Sequence, residues 1–286
     1  MQTKIKHAQL GQINAFYREA GDHAKPVILL LHGFPSSSHQ YRNLIPLLSA
    51  SYWVLAPDLP GFGFTTVPYD YKYTFENLAT FVGDFLDHLR IDQFSVYIFD
   101  YGAPTALRLA LQRPSSITAI ISQNGNAYEE GLGGFWDLIK PYWQSNNPRI
   151  REKLRLYLLS YDTTKFQYVT GSPDPESIPP ETYLLDYTLL SRPGIGDIQM
   201  DLIKDYQKNI PLYPQFQNYL RSSQVPLLAV WGKDDPIFIP PGAEAFQRDL
   251  PNAEIHLLDA GHFALETHLE SISDLILEFL QKNLRS

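Results

Sequence analysis

Phe94-Ser95-Val96-Tyr97-Ile98-Phe99-Asp100-Tyr101-Gly102-Ala103-Pro104-Thr105-Ala106-Leu107 decides how this chain is read. An apolar, β-rich run stops at a single carboxylate, then Gly-Ala gives way to helix-favouring residues. The pattern is strand, abrupt turn, helix. Asp100 sits at the tip of the turn, where small neighbours let a reactive side chain stand clear of the strand, as in a nucleophile elbow. A plain helix N-cap aspartate would leave the same trace. Both readings stay open on this stretch alone.

Working outward, the same rhythm repeats. Pro26-Val27-Ile28-Leu29-Leu30-Leu31 is a continuous apolar run of the kind buried on both faces of a parallel sheet, and it ends in His32-Gly33-Phe34-Pro35. A helix is expected over Gln40–Leu48, then a strand at Trp53-Val54-Leu55-Ala56, then a helical apolar stripe at Phe75, Leu78, Phe81, Val82, Phe85, Leu86 and Leu89. The elbow helix runs to about Arg113, and Ile117–Ser122 is the next strand. Residues 3–18 alternate around Gly11 as a hairpin. This is the β-α-β order of a mostly parallel sheet flanked by helices.

The rhythm breaks at Asn124-Gly125-Asn126 and resumes at Val225–Gly232, followed by a helix near Gly242–Leu250, a strand Ala253–Leu258 and a terminal helix Leu265–Asn283. Between the two halves lie helical segments cut by Pro and Gly, with no buried-strand pattern. The expected organisation is a core of residues 1–126 and 216–286 with a helical insertion at 127–215.

Composition narrows the function classes. The 286 residues carry a formal net charge of −8 and no dense Lys/Arg run, which argues against nucleic acid or an anionic membrane as partner. There is no cysteine, hence no disulfide, thiolate or Cys-based metal chemistry. No apolar h-region opens the sequence and no run is long enough to span a membrane, so a soluble, cytoplasmic protein is expected.

In an open parallel sheet, functional groups gather beyond the C-terminal ends of the strands. Four such ends here carry His32-Gly33-Phe34-Pro35, Asp100-Tyr101-Gly102, Lys233-Asp234-Asp235-Pro236 and Asp259-Ala260-Gly261-His262-Phe263. Singly, each has a structural explanation: His32 as a hydrogen-bonding residue, Asp234 or Asp235 as a turn cap. Together they run in the order nucleophile, acid, histidine.

On these motifs the chain resembles the α/β-hydrolase superfamily, in its aspartate-nucleophile branch of epoxide hydrolases and haloalkane dehalogenases. The resemblance spans nearly the whole chain. It implies Asp100 as nucleophile, Asp235 in Trp231–Pro236 as the acid with Asp234 as the fallback, and His262 as the base. It also implies backbone N–H groups of Phe34 and Tyr101 as the oxyanion hole, and residues 127–215 as a cap. The residue types suit that chemistry. A carboxylate is ionised near neutral pH and attacks an sp³ carbon unaided, leaving the histidine to activate the water that cleaves the ester. No Gly-x-Ser-x-Gly occurs, which removes the serine esterase reading.

The leaving group separates the two chemistries, because an epoxide oxygen wants an O–H donor and a halide wants N–H donors. By resemblance, Tyr168 and Tyr206 are the expected O–H donors of an epoxide hydrolase. Tyr213, Tyr183 and Tyr187 are substitutes, and each tyrosine has packing as its alternative. The Trp and Asn donors usual in dehalogenases are replaced by Tyr101 and Phe34, although the indoles of Trp136 and Trp143 could bind a halide. Phe99 stands where His is usual before the nucleophile. His32, Phe34, Phe99, Phe135, Trp136, Tyr142, Trp143 and Tyr213 are expected around the pocket. The expected function is hydrolysis of a small apolar epoxide to a vicinal diol, by a monomer or homodimer without metal or organic cofactor. The alternatives are dehalogenation on the same triad, or a ligand-binding relative without chemistry.

Overall fold

A computed structural model describes residues 2–284. Eight strands, β1 (Lys4–Leu10), β2 (Ile13–Ala20), β3 (Val27–Leu31), β4 (Trp53–Pro57), β5 (Phe94–Phe99), β6 (Ile117–Gln123), β7 (Leu227–Gly232) and β8 (Glu254–Leu258), form one sheet. Their order is β1-β2-β4-β3-β5-β6-β7-β8. The β1–β2 hairpin pairs antiparallel and β2 joins β4 antiparallel, while β3 to β8 are all parallel. The mainly apolar runs occupy the middle of that order. Every residue of β4, β5 and β7 is buried, whereas the edge strands β1 and β8 are half open.

Alternation along each strand divides the core in two. Leu29, Leu31, Val96 and Ile98 face the helices Phe75–Leu89 and Gly102–Gln112, while Ile28, Leu30, Tyr97 and Phe99 share the other face with Ile276, Phe279 and Leu280 of the C-terminal helix. The helix of the apolar stripe begins where Thr74 accepts the Asn77 N–H, and Arg90, at φ 60°, turns the chain out of it.

Three expected helices are each interrupted. Gln40–Leu48 becomes a 3₁₀ turn Ser38–Tyr41 and a helix Leu44–Leu48, because Pro46, with no N–H, is tolerated only in a first turn. Gly242–Leu250 divides into Pro241–Glu244 and Phe246–Asp249, and the terminal helix is broken at His268 into Ala264–Thr267 and Leu269–Asn283.

Between β6 and β7 the described chain forms helices joined by loops, with one isolated bridge from Leu132 to Phe238. The longer ones are Pro148–Leu158, Tyr161–Val169, Pro180–Leu190, Ile195–Tyr206 and Tyr213–Ser223. They lie over the C-terminal ends of the strands. Gln199 donates to the Gly61 carbonyl, Arg192 donates to that of Gly63, and Tyr206 packs on Tyr101. No helix among the described residues is long and apolar enough to cross a membrane.

Candidate active site

Asp100 leaves β5 with φ 45°, a left-handed conformation that a non-glycine residue holds only when its surroundings enforce it. Two glycines make room for it. A Cβ on Gly33 would lie 2.2 Å from Asp100 Oδ1 and 2.5 Å from the Tyr101 nitrogen, and one on Gly102 would lie 2.3 Å from the Leu31 carbonyl oxygen. Asp100 Oδ1 accepts the Phe34 N–H at 2.6 Å, and the carboxylate also accepts the Tyr101 N–H. The acceptor therefore reaches across the sheet to a separate loop, and Tyr101 occupies the helix N-cap position without a side-chain cap. The Asp100 side chain is buried at the strand tip and accepts from the Phe34 and Tyr101 N–H groups, so it does not serve as the side-chain N-cap of the helix. Burial pushes the Asp100 carboxyl up from 3.8 to about 6, against the opposing pull of His262 and the two N–H groups.

Gly33→Ala is expected to cost about 1–3 kcal/mol in a denaturant titration, since the methyl group has backbone and Asp100 in its way. An unchanged midpoint would refute the close approach.

His262 follows β8 and is wholly buried beside Asp235, which follows β7. His262 Nδ1 lies 2.8 Å from Asp235 Oδ2. The other acceptor positions of Asp235 are filled: Oδ2 takes the Asn124 amide at 2.8 Å and Oδ1 takes the Ile237 N–H at 2.7 Å. A carboxylate so enclosed fixes the imidazole with Nε2 outward, and Nε2 is a buried nitrogen without a partner. Burial works to lower the His262 pKa, but the Asp235 charge and hydrogen bond, then the Asp100 charge, outweigh it and raise it. Asp234 is exposed and donates its N–H to the Ala260 carbonyl, which leaves Asp235 as the partner of the histidine.

Asn124, which the sequence marks only as the place where the strand–helix rhythm breaks, is a supporting residue: its amide oxygen also accepts the Gly232 N–H, tying β6 to the end of β7, and its φ is 50°. Gln123 adds a 2.7 Å bond to the His262 carbonyl.

A cavity of about 20 Å³ adjoins Asp100, walled by Phe34, Tyr101, Phe135, Trp136, Gln167 and Ile237 among others. Phe34, Phe135 and Trp136 thus stand where expected, and Gln167 was missed. The structure corrects the rest. His32 is held by Leu59 N–H to Nε2 at 2.9 Å and by its own Nδ1 on the Gly33 carbonyl at 3.1 Å; burial lowers its pKa to about 4, so it is a neutral strut. Phe99 lies under the imidazole, 4.5 Å between ring centres, rather than in the cavity wall. Tyr142 donates to the Met200 carbonyl at 3.2 Å. Trp143 sits outside the wall, its indole N–H on Ile203 O at 2.7 Å, and that of Trp136 is on Ile237 O at 3.0 Å. Neither indole is free for a halide.

The tyrosines part company. Tyr168 donates to Asp186 at 2.5 Å, stacks on Phe263 at 3.8 Å between ring centres, and does not line the cavity. Tyr206 packs 5.7 Å from the Tyr101 ring and 4.4 Å from that of Trp136, with its hydroxyl 3.4 Å from that of Tyr213. Tyr213 also bonds to Asn126 and lies outside the wall. Tyr183 packs near Tyr161 and Tyr168, and Tyr187 near Tyr161, both on the helical insertion. Among the described residues, no group of three or more His, Asp or Glu is placed to hold a metal ion.

Residues 26–269 match the family model described as the alpha/beta hydrolase fold. The chain belongs to that family. An uncharacterized hydrolase of Saccharomyces cerevisiae is 49% identical to this hydrolase over 274 residues, 95% of this chain and 94% of that one. Among solved structures, the epoxide hydrolase CorEH superposes with a TM-score of 0.77 at 22% identity, covering 99% of this chain and all of that one. The haloalkane dehalogenase DbeA from Bradyrhizobium elkani gives 0.77 at 20%, covering 99% of each. At these identities the two structures share the hydrolase's fold.

Proposed function

We propose that this hydrolase opens a small apolar epoxide to a vicinal diol through an alkyl ester on Asp100. The observation that carries the reading is a carboxylate, not a hydroxyl, standing at the strand tip with its Oδ1 already on the Phe34 N–H, beside a histidine locked by Asp235. One carboxylate oxygen attacks the ring carbon. Water activated by His262 then attacks the carboxyl carbon of Asp100, and the Phe34 and Tyr101 N–H groups hold the oxyanion formed there, a contribution of about 3–4 kcal/mol per donor in measured serine systems. Loss of the Asp100 charge on alkylation removes one of the influences raising the His262 pKa, so the imidazole becomes a freer base when one is needed.

Residues 127–215 act as the cap and the remainder as the core. The cavity has room for about one water molecule, so the cap shifts to admit a substrate. An epoxide is favoured over a halide because both nearby indoles are bonded to carbonyls; Tyr206 packs against the Tyr101 ring, outside the cavity wall, with its hydroxyl on that of Tyr213. Tyr168 is left out of the proposal, since its hydroxyl is held by Asp186.

The test is a single turnover in ¹⁸O-labelled water with a panel of epoxides. Ester hydrolysis at the Asp100 carbonyl carbon predicts label in the protein and unlabelled diol. Label in the diol after one turnover would reject the ester, and no diol from any epoxide would reject the substrate class.

A further inference from the structure

Few polar side chains reach the cavity beside Asp100, and they can be taken one at a time. The Trp136 N–H is bonded to Ile237 O. Gln167 reaches the Thr163 carbonyl of its own helix at 3.4 Å, and its amide cannot give up a proton near neutral pH. Tyr101 is different: the residue is 3% exposed and lines the cavity, and its hydroxyl bonds to no described residue. Phe75 at 5.0 Å, Tyr206 at 5.7 Å and Phe34 at 6.1 Å hold the ring. A hydroxyl on a cavity-lining side chain with no partner among the described residues is available for a bond formed when a ligand is present.

We infer that the Tyr101 side chain, beyond its backbone N–H, is a catalytic acid that donates its phenolic proton to the oxygen leaving the ring. The inference rests on the epoxide reading. As Asp100 bonds to one ring carbon, the C–O bond breaks and its electron pair stays on oxygen, which takes the Tyr101 proton. His262 takes one proton from the attacking water and passes it to the phenolate; the ester C–O bond breaks as the Asp100 carboxyl re-forms, and the departing diol oxygen takes the water's second proton, which restores carboxylate, imidazole and phenol. Burial, then the Asp100 charge, holds the phenol well above its ordinary pKa, so it is protonated before the reaction; alkylation cancels that charge and eases the transfer. Tyr101 thereby fills the place that Tyr168 vacates.

Tyr101→Phe removes the O–H and keeps both the ring and the backbone N–H. In a His262→Ala background, its adduct with an epoxide is expected to form at least about 10²-fold more slowly, as for loss of a general acid. In the single variant, hydrolysis of a preformed ester is expected to be unchanged, and a bromoalkane, whose leaving group needs no proton, is expected to lose little. Tyr206→Phe serves as the comparison, with a thermal melt of each variant to show that it is folded. Unchanged adduct formation in Tyr101→Phe would overturn the inference and leave the epoxide reading intact. An equal loss with the bromoalkane would also overturn it, assigning Tyr101 to packing. No adduct with any epoxide when Tyr101 is present would overturn the reading, and the inference with it.

Discussion

His262→Ala is expected to accumulate a stoichiometric covalent adduct, seen by intact mass as a gain equal to the whole epoxide and absent when Asp100→Asn is added. The imidazole takes no part in forming the ester, but it is the base for cleaving it, so its removal stalls the second step while sparing the first. Loss of the base is expected to slow turnover by about 10²–10⁴-fold. The pH must be chosen with care. Asp100 attacks only when ionised, and its carboxyl already titrates near 6 with His262 helping to lower it. Without the imidazole that midpoint moves up, so adduct formation rises with pH and the trap belongs in mildly alkaline buffer. A gain equal to an alkyl group, with halide released from a haloalkane, would transfer the assignment to dehalogenation. Turnover at the original rate would remove His262 from the mechanism.

The parts legible in the sequence were those that a short local pattern determines. Mainly apolar runs marked the buried strands β3 to β7, because a strand covered on both faces leaves room only for polar side chains that find a partner inside, such as Ser95, Ser122 and Gln123. The turn at Asp100 announced itself through Gly102, whereas the need for Gly33 came from a contact between segments 67 positions apart and shows only in the folded chain. Direction was not legible. Nothing in Phe166-Gln167-Tyr168 tells which of two adjacent side chains on one helix faces the cavity, and Gln167 does while Tyr168 turns to Asp186. The partner that captures Tyr168 lies one helix further along and becomes its neighbour only in the folded insertion. The same holds for the indoles of Trp136 and Trp143, whose carbonyl partners come from distant segments. His32 shows the converse: its motif position suggested the pocket, and a backbone N–H from Leu59 claimed its ring.

Asp100→Asn is expected to abolish turnover and to leave the protein more stable than before. The amide has nearly the same shape and its oxygen can still accept the Phe34 N–H, but it lacks the negative charge that makes the carboxylate a nucleophile, so the covalent route closes altogether. Stability moves the other way because the carboxyl is held above its ordinary pKa by burial, from 3.8 to about 6. The folded chain therefore binds this proton more tightly than the unfolded chain does. Stability is lost as pH rises from about 4 to about 6, and that deficit persists at neutral pH. A neutral side chain has no such deficit, so Asn at this position is expected to gain roughly 1 to 3 kcal/mol at pH 7. The gain should vanish below about pH 4, where the aspartate is protonated in both states. Paired denaturant titrations of the two proteins at pH 7 and at mildly acid pH check this directly. A variant that is inactive but equally stable at both pH values would show that the His262 charge and the two N–H groups fully compensate the buried carboxylate. A variant that keeps turning over epoxide would remove Asp100 as the nucleophile, and with it the ester on which the mechanism depends.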